Sequence, residues 1–242
     1  MPNINSNPFS SLNFYAISLN EELELLNEFH KQQEEQINSF IANINDYVSA
    51  ETEERYFQNY PDDPGEVIEV PISHIGSISE DSYDIKEVFS EVMPMYQRQA
   101  MLISVWALLE NELAKCIRFA INAFGKKLPP PKRKPRGESD FSFLIKQLKA
   151  IDLINSKDNV DIEHAISKLN NEVRHLRNTW VHHGGVVRSN CLQFIEKQES
   201  LSILYGQLNI SKSYINTVYD YVFAITNHIE QRAKNLEVNN QT

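Results

Sequence analysis

A stripe of apolar residues between Ile162 and Trp180 constrains the fold of this chain more than any other feature. Its members recur at steps of three and four, and at roughly 100° per residue they fall within roughly 60° of one direction. They are Ile162, Ala165, Ile166, Leu169, Val173, Leu176 and Trp180. The stripe predicts an amphipathic helix whose apolar face belongs to the core and whose other positions carry polar groups.

Helix-type periodicity also dominates the rest of the chain, which contains only 7 glycines. One or two amphipathic helices are predicted from Leu19 to about Tyr56, and another from about Asp84 to Phe124, bent or divided at Pro94. Between them, a proline-containing loop includes a short extended piece at Val67–Val70.

The remaining elements follow from capping residues and turn signals. Asp140 is predicted to cap the helix FSFLIKQLKAI, and Asp158 or Asp161 to open the stripe helix, which ends near Gly184. Ser211 is predicted to cap a last helix. The stretch SLSILYGQLNIS between these helices indicates a small hairpin. The predicted fold class is therefore all-α, a helical bundle with an added N-terminal helical region and a minor hairpin before the last helix.

The charge distribution divides the chain. Residues 1–95 hold 19 acidic and 3 basic side chains, a net of -16, whereas residues 96–242 hold 14 acidic and 20 basic, a net of +6. We therefore predict an acidic N-terminal helical region at 1–90 (an arm or a regulatory element), a helical domain at 91–235 and a frayed tail at 236–242. The basic half favours a nucleic-acid surface, although uneven charge also serves solubility alone.

Composition narrows the cellular setting. No stretch approaches the ~20 apolar residues that a membrane-spanning helix needs, and the N-terminus lacks the features of a signal peptide. The two cysteines, Cys116 and Cys191, match no metal-ligand spacing, and no carboxylate cluster suggests a metal. The sequence thus predicts a cytoplasmic protein without membrane association, metal or cofactor.

The end of the stripe helix reads LRNTWVHHGG, in which Arg177 and His182 form an Arg-x4-His motif with Asn178 directly after the arginine. This stretch resembles the corresponding sequence of the HEPN domain family, a group of helical domains that includes defence and toxin ribonucleases. The upstream stretch ISVWALLENELAKC is similar to an earlier core helix of that family, where Glu110 is expected to face the Arg/His cleft. The similarity covers about residues 95–235.

What the resemblance implies is a metal-independent endoribonuclease that acts as a symmetric homodimer. Histidine side chains titrate near neutral pH, so His182 suits a general acid or base, and Arg177 suits the charge of a crowded phosphate. Asn178 orients either group, and His183 is an alternative to His182. On an ideal helix Arg177 and His182 diverge by ~140°. Their meeting at one substrate requires arginine's reach, a loosened last turn or a second copy of the chain.

A basic, proline-rich loop follows the predicted Asp84–Phe124 helix and is a candidate guide for the RNA backbone. The alternative is a solvated loop without a ligand. The RNA-binding candidates are Lys126, Lys127, Lys132, Arg133, Lys134, Arg136 and Arg174. Three tyrosines of the last helix either stack on bases or belong to the core: Tyr214, Tyr219 and Tyr221.

The sequence therefore predicts an RNA-cleaving enzyme of prokaryotic toxin or antiviral defence type. Its substrate would be RNA, such as tRNA, cut by attack of the 2′-hydroxyl, and an antitoxin or defence-system protein would be its partner. The alternative is a non-catalytic helical module that binds nucleic acid or a partner protein. In that case Arg177 pairs with Glu110 and His182 caps the helix end.

Overall fold

The computed structural model describes residues 20–58, 60, 64–123, 125–129, 133–155 and 160–240. These residues form two compact units, of which one spans Lys31–Gln97 and the other comprises the described residues on either side of it. This division differs from the predicted boundary at residue 90. Residues 20–30, at the start of the first helix, group with the residues after Gln97 and not with Lys31–Gln97.

The unit Lys31–Gln97 contains a sheet that the all-α prediction missed. Helix α1 (Asn20–Ala42) and a 3₁₀ turn lead into strands β1 (Ser49–Phe57), β2 (Glu66–Ile75) and β3 (Ile78–Ser79). β1 pairs antiparallel with β2 over its whole length, from Ser49 opposite His74 to Phe57 opposite Glu66. The prediction of a helix as far as Tyr56 is therefore wrong. Pairing with the β-branched residues of β2 outweighs the helix propensity of the glutamates in β1.

The long helix predicted from Asp84 is present, with an irregular start. The Asp84 side chain accepts a hydrogen bond from the Glu87 N–H and caps α2 (Ile85–Glu87), and a π-helical turn (Val88–Val92) follows. Helix α3 (Met93–Ala123) continues from there. Pro94, which lacks a backbone N–H, is the second residue of α3 and directly follows the π-helical turn, so the irregularity of the helix lies at the place where the sequence predicts a bend or division.

The other unit is a helical bundle. Its elements after α3 are α4 (Asp140–Ala150), α5 (Val160–Lys168), a π-helical turn (Leu169–Val173), α6 (Arg174–His183), α7 (Ser189–Ile195), β4 (Leu201–Leu204), β5 (Gln207–Ile210) and α8 (Lys212–Asn240). A continuous apolar core joins α3, α4, α5, α6 and α8, with Leu109, Leu169 and Ile225 all fully buried.

The start of α1 belongs to this bundle as well. Leu23 is fully buried in the bundle core. The Asn20 side chain donates to Asn227 Oδ1 at 2.6 Å and accepts from the Thr226 hydroxyl at 2.5 Å. The described beginning of the acidic N-terminal region is therefore fixed against α8.

Several local predictions can be compared with the described residues. The hairpin β4–β5 is confirmed, as are the left-handed Gly184 at the end of α6 and the Ser211 cap of α8. The cap of α4 is not Asp140 but Ser139, whose hydroxyl accepts from the Ser142 N–H. Asp158 lies outside the described residues, and α8 continues to Asn240, into the predicted tail.

Candidate functional site

The helix that carries the Arg-x4-His motif is longer than α6 alone. α5, the π turn and α6 follow one another without a break from Val160 to His183. One extra residue in the π turn rotates everything after it relative to an ideal α-helix, and such turns are frequent at functional sites. The motif itself lies entirely in the regular helix α6.

The two glycines after the motif end the helix in a fixed geometry. Gly184 has φ of 58° and Gly185 has φ of 82°, both in the left-handed region that favours glycine. The Gly185 carbonyl accepts a hydrogen bond from the Leu208 N–H at 2.8 Å, and the Val187 N–H donates to the Gly206 carbonyl at 3.1 Å. The end of α6 is thereby tied to the β4–β5 hairpin.

Arg177 is half-buried and held by its neighbour. Its Nη1 donates to Asn178 Oδ1 at 2.9 Å. Its Nε is buried and has no hydrogen-bond partner among the described residues. A buried guanidinium N–H without an acceptor leaves a directed donor that an anionic oxygen would satisfy. Asn178 thus holds Arg177, one of the two groups that the sequence predicts it to orient.

Glu110 on α3 interacts electrostatically with Arg177. Burial raises the pKa of the Glu110 carboxyl, while a hydrogen bond from Trp106 and the charges of Arg177 and Lys134 oppose the rise. Asp140 also acts on this carboxyl and favours the raised pKa. Among the described residues no ion pair within 4.0 Å joins Glu110 to Arg177. The positive charge of Arg177 is therefore only partly balanced.

The two histidines at the end of α6 are not part of the group formed by Arg177, Asn178 and Glu110. His182 and His183 are both exposed, and their ring centroids are 6.3 Å apart. Within the described chain no contact connects either ring with Arg177. Since α6 stays regular up to His183, its last turn is not loosened, and Arg177 and His182 diverge as on an ideal helix. Arginine's reach and a second copy of the chain remain as ways to unite them.

The basic loop interacts with Glu110 through an ion pair. Lys134 of the loop and Asp140, the first residue of α4, lie with Nζ and Oδ1 2.5 Å apart, and both act electrostatically on the Glu110 carboxyl. Lys126 also has an acidic partner, because its Nζ lies 3.6 Å from Asp152 Oδ2. Three other cations of the loop are exposed and make no ion pair with any described residue: Lys127, Arg133 and Arg136. Lys132 lies outside the described residues.

Arg174 is engaged within the motif helix itself. Its Nε donates to the Asn170 carbonyl at 3.0 Å, and its Nη2 lies 3.2 Å from His175 Nε2. Burial, together with the nearby charge of Arg174, lowers the pKa of His175. Arg174 therefore presents fewer unused donors to an RNA than the exposed loop cations do.

Two polar clusters could not be predicted from the sequence, because most of their partners are distant in the chain. Glu172, in the π turn, accepts hydrogen bonds from Gln198 at 2.6 Å, Tyr214 at 2.9 Å and Lys168 at 2.9 Å. Burial alone would raise the pKa of Glu172, but these hydrogen bonds lower it. In the sequence, the only indication of this cluster is the position of Glu172 directly before Val173 of the apolar stripe.

The second missed cluster connects the motif helix with α4. Asn170 Oδ1 accepts hydrogen bonds from the hydroxyls of Ser142 at 2.8 Å and Ser139 at 3.2 Å. Ser139 is also the cap of α4. The start of α4, directly after the basic loop, is thus fixed to the π turn that precedes the motif.

The base-stacking alternative for the tyrosines is not supported. Tyr214 and Tyr219 are each 2% exposed, and Tyr221 packs against the core. In the part of the chain that the structure describes, no group of three acidic, histidine or cysteine side chains is arranged to hold a metal ion. The described helices include none that is long and apolar enough to cross a membrane.

Comparison of the chain with protein-family models, curated proteins and solved structures gives no match. The resemblance to HEPN domains therefore depends on the motif residues alone and stays a prediction.

Proposed function

We propose that this chain is a metal-independent endoribonuclease of HEPN type, active in the cytoplasm as a homodimer in a toxin or phage-defence setting. The observation that carries the proposal is the state of Arg177. The side chain is half-buried and held by Asn178, and its buried Nε has no acceptor among the described residues. A phosphate oxygen supplies both the missing acceptor and the missing negative charge.

The surroundings of Arg177 support an RNA ligand over a small anion. The ion pair of Lys134 with Asp140 lies within electrostatic reach of the same Glu110 carboxyl that interacts with Arg177. Lys134 and Arg177 thus act on the same carboxyl, and the exposed cations Lys127, Arg133 and Arg136 stand on the same loop as Lys134. Clustered cations bind a nucleic-acid backbone through release of its counterions.

The reaction we propose needs only groups that RNA and this chain possess. His182 removes the proton of a 2′-hydroxyl, and the 2′-oxygen attacks the adjacent phosphorus. The bond from phosphorus to the 5′-oxygen breaks, and that oxygen takes up a proton from a second acid, for which a His183 of the dimer is available. Arg177 stabilises the charge on the phosphate. The products are a 2′,3′-cyclic phosphate and a 5′-hydroxyl.

The test combines cell growth with purified protein. The intact chain and its Arg177→Ala and His182→Ala variants are produced in a bacterial host, and their RNA is examined. The purified proteins are then incubated with total RNA and tRNA in the presence of EDTA. We expect the intact chain to cleave RNA to cyclic-phosphate ends and both variants to lose at least 100-fold in rate, as is typical for a lost acid–base or charge-stabilising group.

The matched control is His164→Ala, because His164 is another exposed histidine of the same continuous helix. It should retain full activity. Absence of cleavage for the intact chain on the whole RNA panel would contradict the proposal, and so would equal loss in the control.

A second candidate function is a non-catalytic module that binds nucleic acid or a partner protein. The observation in its favour is that, among the described residues, Arg177 interacts electrostatically with Glu110 and makes no contact with His182. This candidate predicts that Arg177→Ala together with His182→Ala leaves the biological effect intact.

A further inference from the structure

Helix α4 has a second face that the core does not use. Phe141, Ile145 and Leu148 are buried on one side. Phe143, Lys146, Gln147 and Ala150 recur at steps of three and one on the other side and line a cleft of about 190 Å³. Pro129, Pro135 and Glu138 of the basic loop form the opposite wall. The cleft therefore lies between α4 and the loop with the exposed cations.

The lining of this cleft suits a flat ring with polar edges. Phe143 is only half-buried and is not part of the bundle core, so the cleft keeps an aromatic surface without a packing partner among the core residues. Pro129 and Pro135 add rigid apolar walls. Aromatic side chains in such positions are the usual platform on which proteins stack single-stranded bases.

Gln147 supplies the polar element. Its carboxamide offers two donors and an acceptor, and no described residue hydrogen-bonds to it. The other polar pair of the cleft is already satisfied, because Lys146 Nζ lies 2.5 Å from Glu138 Oε1. Gln147 is thus the group with hydrogen-bonding capacity left for a ligand.

Size and charge decide the occupant. Sites for drug-sized ligands occupy ~300–1,000 Å³, so this cleft takes one ring system rather than a whole cofactor. Lys127, Arg133 and Arg136 on the adjoining loop are exposed and lack acidic partners among the described residues. The base of a nucleotide within a single strand is flanked by two negatively charged phosphates. Such a base fits the cleft, because the phosphates would lie near these cations.

The cleft is also fixed relative to the candidate catalytic helix. The hydroxyls of Ser139 and Ser142 at the start of α4 both bond to Asn170 of the π turn. Lys134, one residue from Pro135, interacts with the Glu110 carboxyl that Arg177 also approaches. The start of α4, which carries one wall of the cleft, is therefore fixed to the helix that carries Arg177.

We infer that the cleft between α4 and the basic loop is a nucleobase-binding subsite for single-stranded RNA, with Phe143 as its stacking platform and Gln147 as its base-reading group. This subsite rests on the proposed ribonuclease function, since it would position the strand that Arg177 and His182 act on.

The test measures binding separately from cleavage. Fluorescein-labelled eight-nucleotide oligomers of rU, rA, rC and rG, and an abasic oligomer of the same length, are titrated at low salt with the full-length His182→Ala protein. Phe143→Ala and Gln147→Leu are then introduced into that background. Gln147→Leu keeps the size of the side chain and removes its hydrogen bonds, and thermal unfolding verifies that each variant folds.

We expect Phe143→Ala to weaken binding of base-containing oligomers by roughly 5- to 150-fold, the equivalent of ~1–3 kcal/mol for a lost base stack, and to leave the abasic oligomer unaffected. Gln147→Leu should change the ranking of the four oligomers. The control is Tyr205→Asn, which removes an exposed aromatic ring of the hairpin at φ of 49°, a conformation that asparagine tolerates. It should bind like the parent.

The subsite is overturned if Phe143→Ala weakens abasic and base-containing oligomers equally, if neither variant changes affinity, or if no oligomer binds. Cleavage by the wild-type chain is measured in parallel. Cleavage that Phe143→Ala and Gln147→Leu leave unchanged would retain the ribonuclease and remove the subsite. Base-dependent binding without any cleavage would retain the subsite and remove the ribonuclease.

Discussion

Gly185 lies directly against the indole ring of Trp180. A Cβ placed on Gly185 would come within 2.2 Å of Trp180 Cη2, and the backbone there has φ of 82°. We therefore expect Gly185→Ala to displace the indole and to lower the free energy of unfolding by about 2–4 kcal/mol, the sum of left-handed strain and overpacking. Urea denaturation followed by tryptophan fluorescence measures the change.

Gly184 provides the matched control for that substitution. It has φ of 58°, but a Cβ placed there meets no atom within 4 Å. Gly184→Ala should therefore cost only the backbone strain, about 1 kcal/mol, and Gly184→Asn less. Equal losses for alanine at the two positions would show that the contact with Trp180 is not what requires glycine at Gly185.

The buried carboxylate of Glu172 makes stability depend on pH. Its pKa is lower in the folded chain than the ordinary 4.5, because hydrogen bonds from Gln198, Lys168 and Tyr214 outweigh its burial. The carboxylate thus stabilises the fold fully above the unfolded pKa, and the contribution disappears as pH falls through the folded value. We expect Glu172→Gln to be destabilising at pH 7 and clearly less so near pH 3.

Tyr214→Phe examines the same network without removing the charge. It deletes one hydrogen bond to a buried carboxylate, which is worth about 1.5–3 kcal/mol. Chemical denaturation of both variants across pH 3–7 measures these effects. A loss for Glu172→Gln that is the same at every pH would contradict the lowered pKa.

Glu110 should behave in the opposite way. Burial raises the pKa of its carboxyl, so the folded chain binds a proton more tightly than the unfolded chain. Its contribution is favourable below the unfolded pKa and is lost as pH rises through the folded value. We therefore expect Glu110→Gln, which keeps an acceptor for Trp106, to maintain or raise the free energy of unfolding at pH 7. A clear loss at pH 7 would contradict the raised pKa, and a gain accompanied by lower ribonuclease activity would indicate a stability–function trade-off at this residue.

The helices of the bundle were predictable because their signals are local. The apolar stripe from Ile162 to Trp180, the glycine at the end of α6 and the Ser211 cap all act within a few residues. Strand β1 was not predictable in this way. Its glutamates favour a helix, and only the partner strand, at least nine residues further along the chain, makes it extended.

The candidate site divides along the same line. Arg177, Asn178 and His182 are neighbours in sequence, so a motif finds them. The hydroxyl donors to Asn170, and two of the three donors to Glu172 (Gln198 and Tyr214), come from residues 26 to 42 positions away. Periodicity and spacing contain no information about such pairs, because they arise only when helices pack.

The exposed loop cations should determine how RNA binding depends on salt. Lys127, Arg133 and Arg136 have no acidic partner among the described residues, whereas Lys134 is paired with Asp140. Each cation that contacts a phosphate adds ~0.7 to the slope of log affinity against log salt for single strands. We expect each of Lys127→Ala, Arg133→Ala and Arg136→Ala to lower the slope by about that amount, and Lys134→Ala to lower it less. Equal slopes for all four variants and the parent would show that the loop does not contact RNA.

The divergence of Arg177 and His182 on α6 makes a prediction about assembly. If each active site takes Arg177 from one copy and His182 from another, then Arg177→Ala and His182→Ala proteins are each inactive, but a heterodimer of the two retains one intact site. A mixture in equal amounts forms heterodimers as half of its dimers, so it should recover about a quarter of wild-type activity.

The measurement is cleavage rate after the two variants are unfolded together and refolded, with each variant refolded alone as the control. If arginine's reach instead unites both groups within one copy, the same heterodimer has no intact site and the mixture stays inactive. A wild-type chain that is monomeric at the assay concentration and yet cleaves RNA would contradict the shared site independently.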